Sequence, residues 1–134
     1  MKVIVDTSVW SLVLRRSSAD LRATEELNQL IRGGRVQILG LIRQELLSGI
    51  RTVERFKALK EELAHYVDLP ITTEDHEEAA AMFNRCRARG IQGNVVDMLI
   101  CAIAVRHQLS IFTTDHDFEE YARHVPIKLH QRFT

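Results

Sequence analysis

Cysteine, proline and glycine are all scarce in this 134-residue sequence: two, two and six residues. Cys86 and Cys101 fall inside helix-like stretches and show no CxxC or ligand spacing. They read as small core residues of a reducing compartment, not as a disulfide or a metal pair. No linker, repeat or low-complexity segment divides the chain. With 46% hydrophobic content, we expect one globular domain over residues 1–134, a size that buries roughly 68% of its unfolded surface without a covalent staple. Long apolar runs are also missing. The longest, Met98 to Val105, is far short of the roughly 20 residues that span a bilayer. The N-terminal MKVIV meets Asp6 at once, whereas a secretory signal needs an apolar region of about 7 to 15 residues. These absences lead us to expect a soluble protein that is not exported by that route.

Several motifs are absent as well. There is no GxxxxGK[ST], GxGxxG or GxSxG, which removes the common nucleotide-binding and serine-hydrolase readings. The six histidines are scattered and none forms HExxH, which argues against zinc. Neither sign of charge is in excess, since eighteen basic side chains meet eighteen acidic ones, and at first sight this speaks against a polyanionic partner. Fourteen of the basic residues are arginine, however. They cluster at Arg15-Arg16, at Arg32 with Arg35, and at Arg85, Arg87 and Arg89. Two readings stand for these clusters: solvated helix faces, or guanidinium groups matched to phosphate. If metal neutralises four carboxylates, eighteen basic groups face fourteen acidic ones, a balance of +4 that suits RNA.

Short β-like runs at Lys2 to Val5, Val36 to Leu39, Ser110 to Thr113 and Ile127 to Leu129 are separated by helical stretches. Alternation of this kind predicts a mostly parallel sheet covered on both faces, a three-layer α/β/α sandwich, because parallel crossovers are long and usually helical. Asp20 to Gly33 reads as one crossover helix stopped by Gly33-Gly34. Leu41 to Ile50 reads as a short helix, and Thr52 as the cap of a second one running to about Tyr66, the pair forming an arm or clamp. Thr73 is the expected cap of a helix reaching Arg89 and stopping at Gly90.

Four acids occupy special places. Asp6 ends the first run and Asp115 follows the third, the positions at which open α/β sheets bind ligands. Each has an alternative reading as a helix N-cap or turn residue. Asp97 is the single ionisable residue of VVDMLICAIAV, a stretch apolar all round and therefore buried. A carboxylate there must be paired, neutralised or metal-bound; alternatively Asn94 caps the helix and Asp97 serves its first turn. Glu45 follows the second run, on the edge that carries the other three acids. Four converging carboxylates repel and need a cation. Hard oxygen ligands suit Mg2+ or Mn2+, whose natural chemistry in an open site is phosphodiester hydrolysis.

The order VIVDTSVW, Glu-Leu-x-x-Gly at 45–49, Asp-x-Leu-Ile-x-Ala at 97–102 and Thr-x-Asp-x-Asp-Phe at 113–118 resembles PIN-domain nucleases, specifically the VapC-type toxins of bacterial toxin-antitoxin pairs. The likeness covers essentially the whole chain. It implies a cytoplasmic Mg2+- or Mn2+-dependent endoribonuclease in which Asp6, Glu45, Asp97 and Asp115 hold metal and carry catalysis, with Asp117 as a candidate fifth acid. Thr7, Ser8 and Thr113 match hydroxyl positions that help place acids or water, and Thr113 has a second reading as a turn residue. The resemblance further implies a homodimer and a cognate antitoxin that binds near the active-site groove. Met98 and Cys101 depart from the small residues frequent at those positions, which bears on packing.

Two other classes share some of these features. A receiver-type phosphoacceptor domain would want paired acids after the first strand and an aspartate after a middle strand; here Asp6 stands alone and Val36 to Leu39 ends without one. A PIN-like module that binds RNA or protein without cleaving it is the other alternative, and the intact quartet argues against it.

Overall fold

Among residues 1–14 and 21–131, which the computed structural model describes, four short strands form one sheet. They are β1 (Val3–Val5), β2 (Val36–Gln37), β3 (Ser110–Phe112) and β4 (Lys128–Leu129), in the order β2-β1-β3-β4 and parallel throughout. Ile4 lies in register with Gln37 on one side and Ile111 on the other, which makes β1 a central strand. Its residues Val3, Ile4 and Val5 are all buried, the continuous apolar pattern of a strand covered on both faces. The chain runs outward from β1 to β2, then returns to the opposite side for β3 and β4. That reversal creates a crevice beyond the carboxyl ends of β1 and β3, the place where open α/β sheets bind ligands.

The described helices are α1 (Thr7–Leu14), α2 (Leu21–Arg32), α3 (Gly40–Ser48), α4 (Val53–Leu63), α5 (Thr73–Ala88), α6 (Val95–His107) and α7 (Asp117–Ala122). They flank the sheet in the expected α/β/α sandwich. Between β1 and β2 the structure has two helices where the sequence suggested one; Asp20, Arg15 and Arg16 lie outside the described residues. In α2 the buried side chains Ala23, Glu26, Leu27 and Leu30 follow helical spacing. Glu26 is buried because His130, just beyond β4, meets it at 2.7 Å and so ties this helix to the far edge of the sheet. Cys86 and Cys101 are buried free thiols, as expected. Desolvation pushes both thiols up, which keeps them protonated.

Most element ends differ from expectation by one or two residues, and three of the differences have a visible cause or partner. The strand at Val36 ends at Gln37, and Ile38 instead makes an isolated parallel bridge with Asp68. Helix α4 stops at Leu63, not near Tyr66, because Arg43 of α3 donates to the carbonyls of Leu63 (2.9 Å) and Tyr66 (2.8 Å) and pairs with Asp68 (2.9 Å). The guanidinium thereby turns the outgoing chain back toward the sheet. Helix α5 is capped by Thr72, not Thr73. Thr72 accepts from the Asp75 amide while the Asp75 carboxylate accepts from the Thr72 amide at 2.9 Å, a reciprocal capping box.

Asp75 does more than cap. It is 2% exposed and receives a bidentate grip from Arg106 at the far end of α6, Nε to Oδ1 at 2.6 Å and Nη2 to Oδ2 at 2.8 Å. The start of α5 thus meets the end of α6, so these two helices run antiparallel. The Arg106 hydrogen bond, helped by Thr72, holds the Asp75 carboxyl at about 2 against burial that opposes it. Among the described residues no helix is long and apolar enough to cross a membrane.

Losing this carboxylate removes the N3 half of the capping box and leaves Arg106 and the Thr72 amide without their partner. Asp75→Ala is expected to destabilise the fold by about 1 to 3 kcal/mol, the range for leaving a hydrogen-bonding group unsatisfied, read by urea unfolding at pH 7. A carboxyl depressed below its unfolded value of about 3.9 stabilises above that pH and loses its contribution as pH falls through about 2. The wild type should therefore lose stability in that acid window and the variant should show a shallower fall.

Candidate active site

Of the side chains singled out in the sequence, Asp6, Thr7, Ser8, Glu45, Thr113, Asp115 and Asp117 lie on segments that leave the carboxyl ends of β1, β2 and β3, while Asp97 lies at the start of α6, the helix that leads into β3. Asp6 follows β1 directly and is 8% exposed. Its main-chain carbonyl accepts from Val9 and Trp10 at the start of α1, while its side chain does not cap that helix. Asp6 Oδ2 instead accepts from Ser8 Oγ at 2.8 Å and from Thr113 Oγ1 at 2.9 Å. Ser8 Oγ in turn accepts from the Thr114 amide (3.1 Å), and Thr113 Oγ1 from the Asp115 amide (3.0 Å). Both readings of Thr113 hold at once, since it serves the turn and the acid. These polarised chains lock the ends of β1 and β3 together.

Asp97 lies in the first turn of α6, half-buried. Asn94 is the cap, its Oδ1 accepting from the amides of Val96 (2.8 Å) and Asp97 (3.2 Å). The Asp97 carboxylate takes no part in a capping box; its Oδ2 accepts from the Tyr121 hydroxyl at 3.0 Å. Burial pushes the Asp97 carboxyl up to about 6, and the negative charges of Asp6, Asp115 and Asp117 add to the rise while the Tyr121 hydrogen bond opposes it. Asp97 therefore shares one electrostatic environment with three other acids.

Asp115 and Asp117 are exposed. Asp115 Oδ1 accepts from the Asp117 amide at 2.9 Å, so its local turn role before α7 is real and occupies one of its two oxygens. Glu45 on α3 is also exposed and joins the group through Thr7, whose Oγ1 donates to Glu45 Oε1 at 3.2 Å. The structure thus links Asp6, Asp97, Asp115, Asp117, Ser8 and Thr113 closely, and Glu45 by way of Thr7. Tyr121 was missed by sequence reasoning. Its signal was there, as a tyrosine on the buried face of α7 three residues after Phe118, where a phenol needs a polar partner.

Two hollows adjoin the acids. One of about 840 Å³ contacts Thr7, Glu45 and Val96 and extends past Ile50 to Arg51 and Arg55. The other, about 230 Å³, contacts Thr113, Asp115 and His116. Among the described residues no three acidic, histidine or cysteine side chains stand close enough to share one ion as they are placed.

A parallel sheet with acids beyond the carboxyl ends of β1 and β3 defines an α/β class of protein with an acidic crevice at its topological switch. The PIN domain model matches residues 3–124, and the chain belongs to the PIN domain family. No curated protein matches the sequence. Among solved structures, FitAcB from Neisseria gonorrhoeae is similar at 21% identity, with 96% of each chain covered and a TM-score of 0.76. VapBC2 from Rickettsia felis, bound to a DNA fragment from its promoter, is similar at 17% identity, covering 97% of this chain and 98% of that one, with a TM-score of 0.74. A toxin-antitoxin complex from Klebsiella pneumoniae is 17% identical over 87% and 90% of the two chains, with a TM-score of 0.69. At these identities the likeness is one of fold.

In metal-free protein the Asp97 carboxyl is expected to titrate near pH 6, as read by carboxyl carbon NMR. Because this value lies above the unfolded value of about 3.9, the associated stability is fully present below that pH and is lost as pH rises through about 6, opposite in sign to Asp75. Asp6→Asn, which removes a negative neighbour, should move the Asp97 titration down; an upward or absent shift would contradict the shared environment.

Proposed function

We propose that this chain is a divalent-cation-dependent endoribonuclease and the toxin of a toxin-antitoxin pair. The observation that carries the reading is Asp97, a half-buried carboxyl that feels three other acids while no cationic side chain among the described residues pairs with it. Carboxylates so gathered call for a positive ion. The donors are oxygens only, which suits Mg2+ or Mn2+, and their separation is what mutual repulsion favours before a cation draws them in.

Asp6, Glu45, Asp97 and Asp115 would hold the ion, with Asp117 as a fifth acid at the rim. A bound cation would activate water and offset the charge that grows on phosphate during hydrolysis. The chain's own residues prepare that centre. Ser8 and Thr113 fix Asp6, Thr7 turns Glu45, and Asn94 anchors the helix end that presents Asp97. Arg51 and Arg55 line the larger hollow beyond Glu45 and have no side-chain partner among the described residues. Arginines there suit the phosphates of a strand entering the crevice.

The toxin role is supported by the resemblance of the motifs and by the fold shared with complexes described as toxin-antitoxin or VapBC. The apolar wall of the larger hollow, Leu14, Leu41, Ile50 and Val96, suits a cognate antitoxin segment that would exclude RNA. The resemblance adds a homodimer and a cytoplasmic site of action.

Purified protein incubated with total cellular RNA should make discrete cuts in Mg2+ or Mn2+ and none in EDTA, and Asp6→Asn and Asp97→Asn should each abolish them. Intact RNA throughout, from folded protein that binds metal, would favour the non-cleaving module. In a separate measurement, Arg51→Ala and Arg55→Ala should weaken RNA binding across sequences, each lowering the slope of log affinity against log salt by about 1. An unchanged slope would remove them from the RNA path.

A further inference from the structure

The four acids share a pattern at the level of single atoms. Each gives one carboxylate oxygen to a donor of the protein: Glu45 Oε1 to Thr7, Asp6 Oδ2 to Ser8 and Thr113, Asp115 Oδ1 to the Asp117 amide, and Asp97 Oδ2 to Tyr121. The other oxygen of each has no protein partner among the described residues. Two of these donors, Ser8 and the Asp117 amide, lie two residues from the acid they serve, while Thr7 and Thr113 reach Glu45 and Asp6 from 38 and 107 residues away. Tyr121 likewise reaches Asp97 from another helix, 24 residues away, and its phenol is the one aromatic donor of the set.

We infer that Tyr121 is a positioning residue of the cation centre, whose hydroxyl pins Asp97 Oδ2 so that the other oxygen faces the crevice. The inference rests on the metal reading above. Packing alone does not account for the hydroxyl. The ring is 1% exposed and meets Phe118 edge-on, with centroids 5.3 Å apart, and a phenylalanine would fill the same space. The hydroxyl instead donates to Asp97 Oδ2 at 3.0 Å, spanning from α7 to the first turn of α6. The ring is also well placed to hold the geometry, since α7 ends on hydrogen bonds from the amides of His124 and Val125 to the Tyr121 carbonyl, both 2.9 Å. Carboxylates that ligate metal are themselves oriented by outer hydrogen bonds, and losing such a partner typically costs about 10- to 100-fold in metal affinity.

The test is Mn2+ binding to metal-free protein, followed by electron paramagnetic resonance, for the wild type, Tyr121→Phe and the packing control Phe118→Leu. We expect Tyr121→Phe to bind Mn2+ about 10- to 100-fold more weakly while its melting temperature stays close to wild type. Phe118→Leu should melt earlier yet keep its Mn2+ affinity. A Tyr121→Phe affinity within about twofold of wild type would overturn the inference and leave the metal reading intact. A wild type that takes up no Mn2+ would overturn both. An independent readout needs no substitution: the chain has two tyrosines, so with ring-labelled tyrosine, saturating Mg2+ should shift the Tyr121 Cζ resonance and leave Tyr66 in place. If Mg2+ binds and Tyr121 does not move, the inference also fails.

Discussion

Like charges do not gather without cause, and the crowding of carboxylates at one edge of the sheet is the constraint from which the rest of this structure follows. A parallel sheet delivers chain segments from distant parts of the sequence to a common edge, where Asp97 feels the negative charges of Asp6, Asp115 and Asp117. The local chemistry is arranged to hold that conflict. Hydroxyls and amides donate to one oxygen of each acid, the end of α6 is fixed by Asn94, and the tie between β1 and β3 runs through Asp6 itself. The same contacts that keep the strand ends in place keep the acids facing the crevice, so positioning and stability share one set of bonds.

Comparison with the other buried acids sharpens the point. Asp75 is at least as inaccessible as Asp6, but Arg106 and a capping box satisfy it fully, and its carboxyl falls to about 2. Glu26 is buried against His130. Both have a partner of opposite or complementary character and serve the join between elements. Asp97 has only a neutral phenol and rises to about 6. Burial alone does not mark a functional acid. What marks it is burial left uncompensated, in a crevice, beside others of the same sign.

The fold was legible where the sequence carries strong periodicity. The runs that begin at Lys2, Val36, Ser110 and Ile127 each contain a strand, in the parallel arrangement that their alternation with helices implied, and VVDMLICAIAV became a helix buried along its central turns. Its limits were set by tertiary contacts that no local pattern records. The end of α4 depends on Arg43 reaching carbonyls 20 and 23 residues onward. The bridge at Asp68 pairs a charged residue with Ile38, and the choice of Thr72 over Thr73 turns on which threonine the Asp75 carboxylate can reach. In the candidate site, Asp6, Ser8, Thr113 and Asp115 were visible because they flank strands. Asp97 was visible because it interrupts an apolar helix, although its orientation was not. Tyr121 was hidden because, in sequence, a tyrosine on an apolar helix face looks like core, and only the folded chain shows its hydroxyl meeting an acid 24 positions away.

The acids are drawn from residues 6, 45, 97 and 115, and the tie that holds Asp6 comes from Thr113 on the far side of the sequence. Asp6 lacks the Thr113 half of its anchor until β3 has paired with β1. During synthesis, the crevice therefore cannot assemble until the segment carrying Thr113 has emerged and joined the sheet. The order of the chain in this way delays the centre until its last parallel strands are in place, by topology alone.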